Sequence, residues 1–183
     1  MIYRRLEVPV KKPTPDCYWV IPDRFLAGEY PSAPAEMQAR AKARQFIHAG
    51  IDTFIDITEA GEHGLRAYFP YMQAVAANLG REMVYKRFSI PDLDIPEPAY
   101  LRSILKTLQD YLDDGRNVYL HCYGGIGRTG TVVGCYLVEQ GMDGLTALRQ
   151  IADWRQGTPD GSKPSPETDE QKDLILNWKK SNE

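Results

Sequence analysis

Residues 117–139, NVYLHCYGGIGRTGTVVGCYLVE, constrain the fold more than any other stretch of this chain. The segment NVYLHC reads as a short apolar strand and RTGTVVGCYLVEQ as a buried helix, with a glycine-rich turn between them. Neither element has a polar face to offer water, so both need covering layers. The remainder of the chain supplies them. IDTFIDI and EMVYKRFSI read as further strands, and CYWVIPDRFLAGEYP as a two-stranded hairpin around Pro22-Asp23. Helices are predicted in SAPAEMQARAKARQFIHAG, in LRAYFPYMQAVAANLG despite Pro70, and from Ala99 to Asp114, where Leu101, Ile104, Leu105, Leu108, Tyr111 and Leu112 fall at helical spacing. Two more follow in DGLTALRQIADWRQ, with Asp143 as N-cap, and in ETDEQKDLILNWKK. Strands alternating with helices predict an α/β fold, a central and mostly parallel twisted sheet flanked by helices on both faces.

The 183 residues suffice for one domain without disulfide or metal staples. The expected division is an irregular Pro- and Lys-rich arm over 1–16 and a single catalytic domain over 17–183. A formal net charge of −3 gives no footing for general nucleic-acid binding, so an anionic ligand must be met by a local positive site. Cys17, Cys122 and Cys135 are odd in number and lack CxxC spacing, which argues against a disulfide framework or a zinc cluster and for a reducing, cytoplasmic setting. No stretch approaches the roughly 18 apolar residues of a membrane span, and the start MIYRRLEVPVKK has no apolar h-region.

A strand that runs through a glycine-rich loop into a helix is a recurrent phosphate cradle: loop amides converge and the helix N-terminus adds positive potential. Gly124, Gly125 and Gly127 permit the close approach this needs. A nucleotide loop would end in Gly-Lys-Ser/Thr, whereas Arg128 stands at that place. Cys122 lies at the base of the cradle, where the amides and guanidinium that attract phosphate also favour a thiolate, the nucleophilic form of cysteine. Arg128 has the planar fork to hold two phosphoryl oxygens, which lysine cannot copy. Thr129 is placed to hydrogen-bond the cysteine sulfur, and His121 to orient the loop through backbone hydrogen bonds. The alternative is a plain Gly turn with a buried cysteine.

The motif HCxxGxxRTG from His121 to Gly130 resembles the phosphate-binding loop of cysteine-dependent protein tyrosine phosphatases, and the chain's length and order resemble their compact dual-specificity branch, over roughly residues 18–180. The resemblance implies that fold and a phosphocysteine mechanism without metal or other cofactor. Cys122 attacks phosphorus; Tyr123, Gly124, Gly125, Ile126, Gly127 and Arg128 bind the phosphate. An aspartate from an earlier loop protonates the leaving oxygen. In SIPDLDIPEP, Asp92 and Asp94 stand thirty and twenty-eight positions before Cys122, and Asp92 is preferred because its Pro-Asp matches the family's pattern. The bare reading of that stretch is a proline-rich turn with solvated acids. A bound phosphate dianion disfavours a neighbouring carboxylate's charge, so kcat/KM should be bell-shaped with a mildly acidic optimum.

Gln171 stands where similar phosphatases carry a water-orienting glutamine, although Thr168-x-x-Gln171 also makes a capping box. Arg155 corresponds to a loop-supporting arginine of the family or is a solvated helix end; Glu59 either faces the pocket or is an unpartnered loop acid. Cys17 and Cys135 read as packing residues, with a regulatory disulfide to Cys122 left open. Phosphoinositide phosphatases of this family tend to carry lysine between the cysteine and arginine; here 123–127 bear no charge, which favours phosphotyrosine-containing proteins or peptides as substrates and phosphate-like oxyanions as inhibitors. Inositol lipid or polyphosphate hydrolysis, a binding-only phosphoprotein module, and sulfur transfer are the alternatives, the last opposed by the RTG ending.

Overall fold

The computed structural model describes residues 11–180, so residues 1–10 of the expected arm lie outside the described residues, while 11–16 carry neither helix nor strand. Five strands form one sheet: β1 (Cys17–Ile21), β2 (Phe25–Gly28), β3 (Thr53–Asp56), β4 (Val84–Arg87) and β5 (Val118–His121), in the order β1-β2-β5-β3-β4. β1 pairs antiparallel with β2 through the Pro22-Asp23 turn, where Asp23 takes φ +61°; every other pairing is parallel. β5 is thus the central strand, as its unbroken apolar run requires.

The pleat sorts the strand residues between two cores. Phe25, Ala27, Ile55, Val118 and Leu120 pack beneath α3 (Pro98–Asp113), α4 (Gly127–Glu139), α5 (Gly144–Arg155) and α6 (Asp169–Leu176). Leu26, Phe54 and Tyr119 point the other way, toward α1 (Glu36–His48) and α2 (Phe69–Ala77). α4 is the most enclosed helix, with every residue from Gly127 to Val138 buried. Close packing depends on its glycines: a Cβ at Gly134 would lie 2.3 Å from Ile175 Cδ1 of α6.

Boundaries moved where local chemistry decided them. α2 begins at Phe69, with Pro70 in the first turn, where its missing N–H costs nothing, so the proline starts this helix rather than interrupting it. α3 likewise begins on Pro98. α6 stops at Leu176, and the Trp178 side chain beyond it donates to Glu139 Oε1 at 2.9 Å. The N-cap of α5 is Asp143, which accepts from the Thr146 amide at 3.0 Å. Parallel strands end at one edge, and β3 and β5 deliver Asp56 and His121 side by side there.

Candidate active site

β5 ends at His121 and α4 begins at Gly127, so residues 122–126 form the loop between them. Gly125 has φ +68°, and a Cβ there would stand 2.3 Å from Gly28 C and 2.5 Å from Glu29 N. The loop therefore lies flat on the end of β2, an approach open only to glycine. The Tyr30 amide donates to Tyr123 O at 2.9 Å and ties the two segments. At the start of α4 the Ile126 N-cap makes no side-chain cap hydrogen bond, which leaves the first-turn amides to the loop. Cys122 is buried at the base of this loop, 3% exposed.

His121 is fully buried: its Nδ1 lies 3.1 Å from Cys122 O and its Nε2 2.6 Å from the Tyr68 hydroxyl. A carbonyl only accepts, so Nδ1 carries the proton and Nε2 accepts from Tyr68. Burial lowers the imidazole pKa, consistent with a neutral ring. Thr129 Oγ1 accepts from the Cys122 amide at 2.9 Å, which places the hydroxyl beside the cysteine and leaves its own proton free to donate. The first turn of α4 brings the side chain over that amide.

Arg128 is 2% exposed, and its partners explain how a guanidinium is tolerated there. Nη1 and Nη2 donate to the two carboxylate oxygens of Glu62 at 2.7 and 2.6 Å, Nη1 also donates to Ile90 O at 2.9 Å, and Nη2 pairs with Asp92 Oδ1 at 2.8 Å. Burial works against its charge, but the Glu62 hydrogen bonds hold its pKa above the ordinary value. The Glu62 carboxyl is pushed up by burial and pulled lower still by Arg128, ending below its usual range. One donor remains: Arg128 Nε is buried with no hydrogen-bond partner. An unfilled buried donor costs about 1–3 kcal/mol, and more on a charged group, which an anionic ligand would relieve.

Asp92 therefore reaches the site from the loop after β4. His63 Nε2 lies 3.5 Å from its Oδ2 and packs its ring on Tyr123 with centroids 4.6 Å apart. Asp94 turns elsewhere and accepts from the Ile95 amide at 2.8 Å. Gln171 is fully buried and serves two ends at once: Oε1 accepts from the amides of Glu167 and Thr168 at 3.1 and 3.3 Å, while Nε2 donates to Asp94 O at 3.1 Å. The capping box is thus real, and the same amide fastens the Asp92 loop to α6. Glu62, His63 and Asp92 have ligand atoms within 4.8 Å of one another, yet both Glu62 oxygens are already committed to Arg128.

The alternatives left open for Glu59, Arg155 and Cys17 are decided by their surroundings. Glu59 is an exposed loop acid whose amide donates to Glu62 Oε2 at 3.0 Å, and the acid that reaches Arg128 is Glu62. A bidentate arginine partner sixty-six positions away leaves no spacing signal; a second acid in the loop after β3 was the available hint. Arg155 is not a solvated helix end: it is 2% exposed and donates to Lys163 O and Asp160 O at 2.7 and 2.9 Å, fixing the segment after α5. Cys17 faces Gly28, which faces His121, so about two strand spacings, ~10 Å, separate Cys17 from β5, beyond the ~7 Å a disulfide tolerates.

A buried cysteine and a buried arginine beside a glycine-rich loop, at the carboxyl edge of a mostly parallel sheet, are features of the protein tyrosine phosphatase class. Within that class the chain belongs to the PTP-SAK family, Swiss Army Knife proteins with a DSP-PTPase phosphatase domain, whose sequence model matches residues 14–172. It is 29% identical over 164 residues to the mouse dual specificity protein phosphatase CDC14B, covering 83% of this chain and 29% of that one. It is also 29% identical over 127 residues to the mouse protein tyrosine phosphatase domain-containing protein 1, of which it spans 16%, so the chain covers well under half of these curated relatives. The structure of Tk-PTP in its active form superposes with a TM-score of 0.64 at 23% identity, covering 88% of this chain and 94% of that one. PTPMT1 in complex with PI(5)P gives 0.62 at 19%, covering 88% and 93%. At these identities the two structures speak for the fold.

Proposed function

We propose that the protein hydrolyses phosphate monoesters, phosphotyrosine in proteins or peptides above all, through a phosphocysteine intermediate. The observation that carries the reading is the unpartnered, buried Nε of Arg128, in the first turn of α4, next to a loop that begins at the buried Cys122. Glu62 holds the guanidinium in place, and its one unpartnered donor, Nε, suits an incoming phosphoryl group.

Cys122 Sγ attacks phosphorus, the bond from phosphorus to the ester oxygen breaks, and that oxygen takes the Asp92 proton. Loop amides and Arg128 hold the charge on the other three oxygens. Water then attacks phosphorus, gives a proton to Asp92, and the S–P bond breaks to return the thiolate and release inorganic phosphate. Without substrate, the Asp92 carboxylate occupies Arg128 Nη2; the phosphate dianion competes for the same nitrogen and frees the acid. Gln171 acts as a positioning residue for the acid loop. Thr129 supports the Cys122 amide, and with it the base of the cradle.

The uncharged stretch 123–127 favours singly phosphorylated substrates. Inositol lipids are the competing reading, suggested by the fold shared with PTPMT1. The test is turnover in EDTA of p-nitrophenyl phosphate, phosphotyrosine and phosphoserine peptides, and phosphoinositides. Phosphotyrosine peptides should be cleaved fastest and chelator should not matter. A preference for lipid would transfer the assignment, and tight peptide binding with no turnover would make the protein a binding module.

A further inference from the structure

A groove of about 840 Å³ opens beside the phosphate loop, and its lining includes Tyr30, Pro34, His63, Leu65, Arg66 and Tyr123. Its inner end is the His63–Tyr123 ring pair, both about half exposed, so the groove is continuous with the catalytic loop. Arg66 lines the same groove. Its Nε donates to Pro34 O at 3.1 Å and its Nη1 to the Tyr71 hydroxyl at 3.3 Å, which orients the guanidinium while leaving further N–H donors free. Among the described residues no carboxylate pairs with it. An oriented, exposed arginine without an acid partner is a recognition point for a carboxylate.

Two acids, Glu29 and Asp160, also border the groove, and Glu29 is paired with Lys42. With one permanent cation against two acids, the lining does not match a multiply charged lipid headgroup, which needs clustered positive charge. Aromatic rings, a proline, a leucine and a single arginine suit an extended polypeptide with a phosphotyrosyl ring entering beside His63 and Tyr123.

Resting on the phosphotyrosine reading of the same site, we infer that this groove receives the polypeptide flank of the substrate and that Arg66 grips an acidic side chain next to the phosphotyrosine. Arg66 touches none of the reacting atoms, so its effect belongs in KM for peptides.

The experiment compares wild type, Arg66→Ala and Arg66→Glu on p-nitrophenyl phosphate, on one phosphotyrosine peptide made with acidic, neutral or lysine flanks, and on phosphatidylcholine vesicles carrying a phosphatidylinositol monophosphate. Cleavage of p-nitrophenyl phosphate should be unchanged in both variants, which also reports an intact fold. KM for the acidic peptide should rise about three- to tenfold in Arg66→Ala with kcat held, the neutral peptide should be little affected, and Arg66→Glu should prefer the lysine peptide. Equal effects on acidic and neutral flanks, or a loss confined to vesicles, would overturn the inference. If wild type cleaves no monoester at all, the underlying reading of the site falls with it, an outcome distinct from normal turnover without flank discrimination.

Discussion

The phosphate loop and the acid loop meet at Arg128 but are held in place by different means. Residues 122–127 are fixed by backbone: a left-handed glycine pressed on β2, amide hydrogen bonds, and a helix enclosed on every side. Residues 91–97 are mostly exposed and are fixed by side chains, through Asp92 on Arg128 and Gln171 on Asp94 O. The Cys122 half of the site is therefore built into the fold, whereas the Asp92 half is attached to it. A loop held by a few polar contacts can release and re-form, and proton delivery over a bound phosphate calls for such release.

The sharpest break of this comparison is at Gly125. Gly125→Ala forces a Cβ into the backbone of Gly28 and Glu29 at a positive φ, and is expected to cost about 2–4 kcal/mol of stability and at least a hundredfold in kcat/KM, read by denaturant melts and p-nitrophenyl phosphate assay. Asp92→Asn should be its opposite. Turnover should fall about 10²–10³-fold with stability unchanged, and phosphate should bind at least as tightly, since an anionic competitor for Arg128 is gone. An Asp94→Asn variant that loses more than Asp92→Asn would move the acid.

That contrast also marks what could be read from residues alone. The cradle was legible because its constraints are local: glycines at fixed offsets, a strand before them, an apolar helix after. The central place of β5 followed from NVYLHC, and the caps at Asp143 and Thr168 from short-range spacing. Glu62 was missed because a carboxylate that neutralises a distant arginine follows no sequence period. The double use of Gln171 was hidden for the same reason: the capping box is local, but its bond to Asp94 O joins segments 77 residues apart.

Glu62 tests the contact between the two halves. Glu62→Gln keeps the shape but loses the charge facing Arg128, and kcat/KM should fall about tenfold or more as the guanidinium loses its anchor. Its pH dependence has a definite sign. The native carboxyl titrates below its ordinary value, so the folded state binds fewer protons there than the unfolded chain. The Glu62 contribution is fully present above the unfolded value of about 4.3 and is lost as pH falls through the lower native value. Wild type should lose an increment of stability in that acid window that Glu62→Gln never had, and parallel profiles would refute the pairing. The smallest effect is expected for Gln171→Ala, about 1 kcal/mol from the lost cap and a several-fold drop in kcat as the acid loop loosens, with phosphate affinity retained.

The central claim is that the Cys122 sulfur carries the phosphoryl group between the two half-reactions. The direct measurement is a rapid acid quench of the Asp92→Asn enzyme during turnover of a phosphotyrosine peptide, followed by mapping of phosphorylated fragments. The account predicts one phosphoryl group on the fragment bearing Cys122, and none in Cys122→Ser, which should also be inactive. Product release with no phosphorylated Cys122 fragment at any quench time, or sustained turnover by Cys122→Ser, would contradict it.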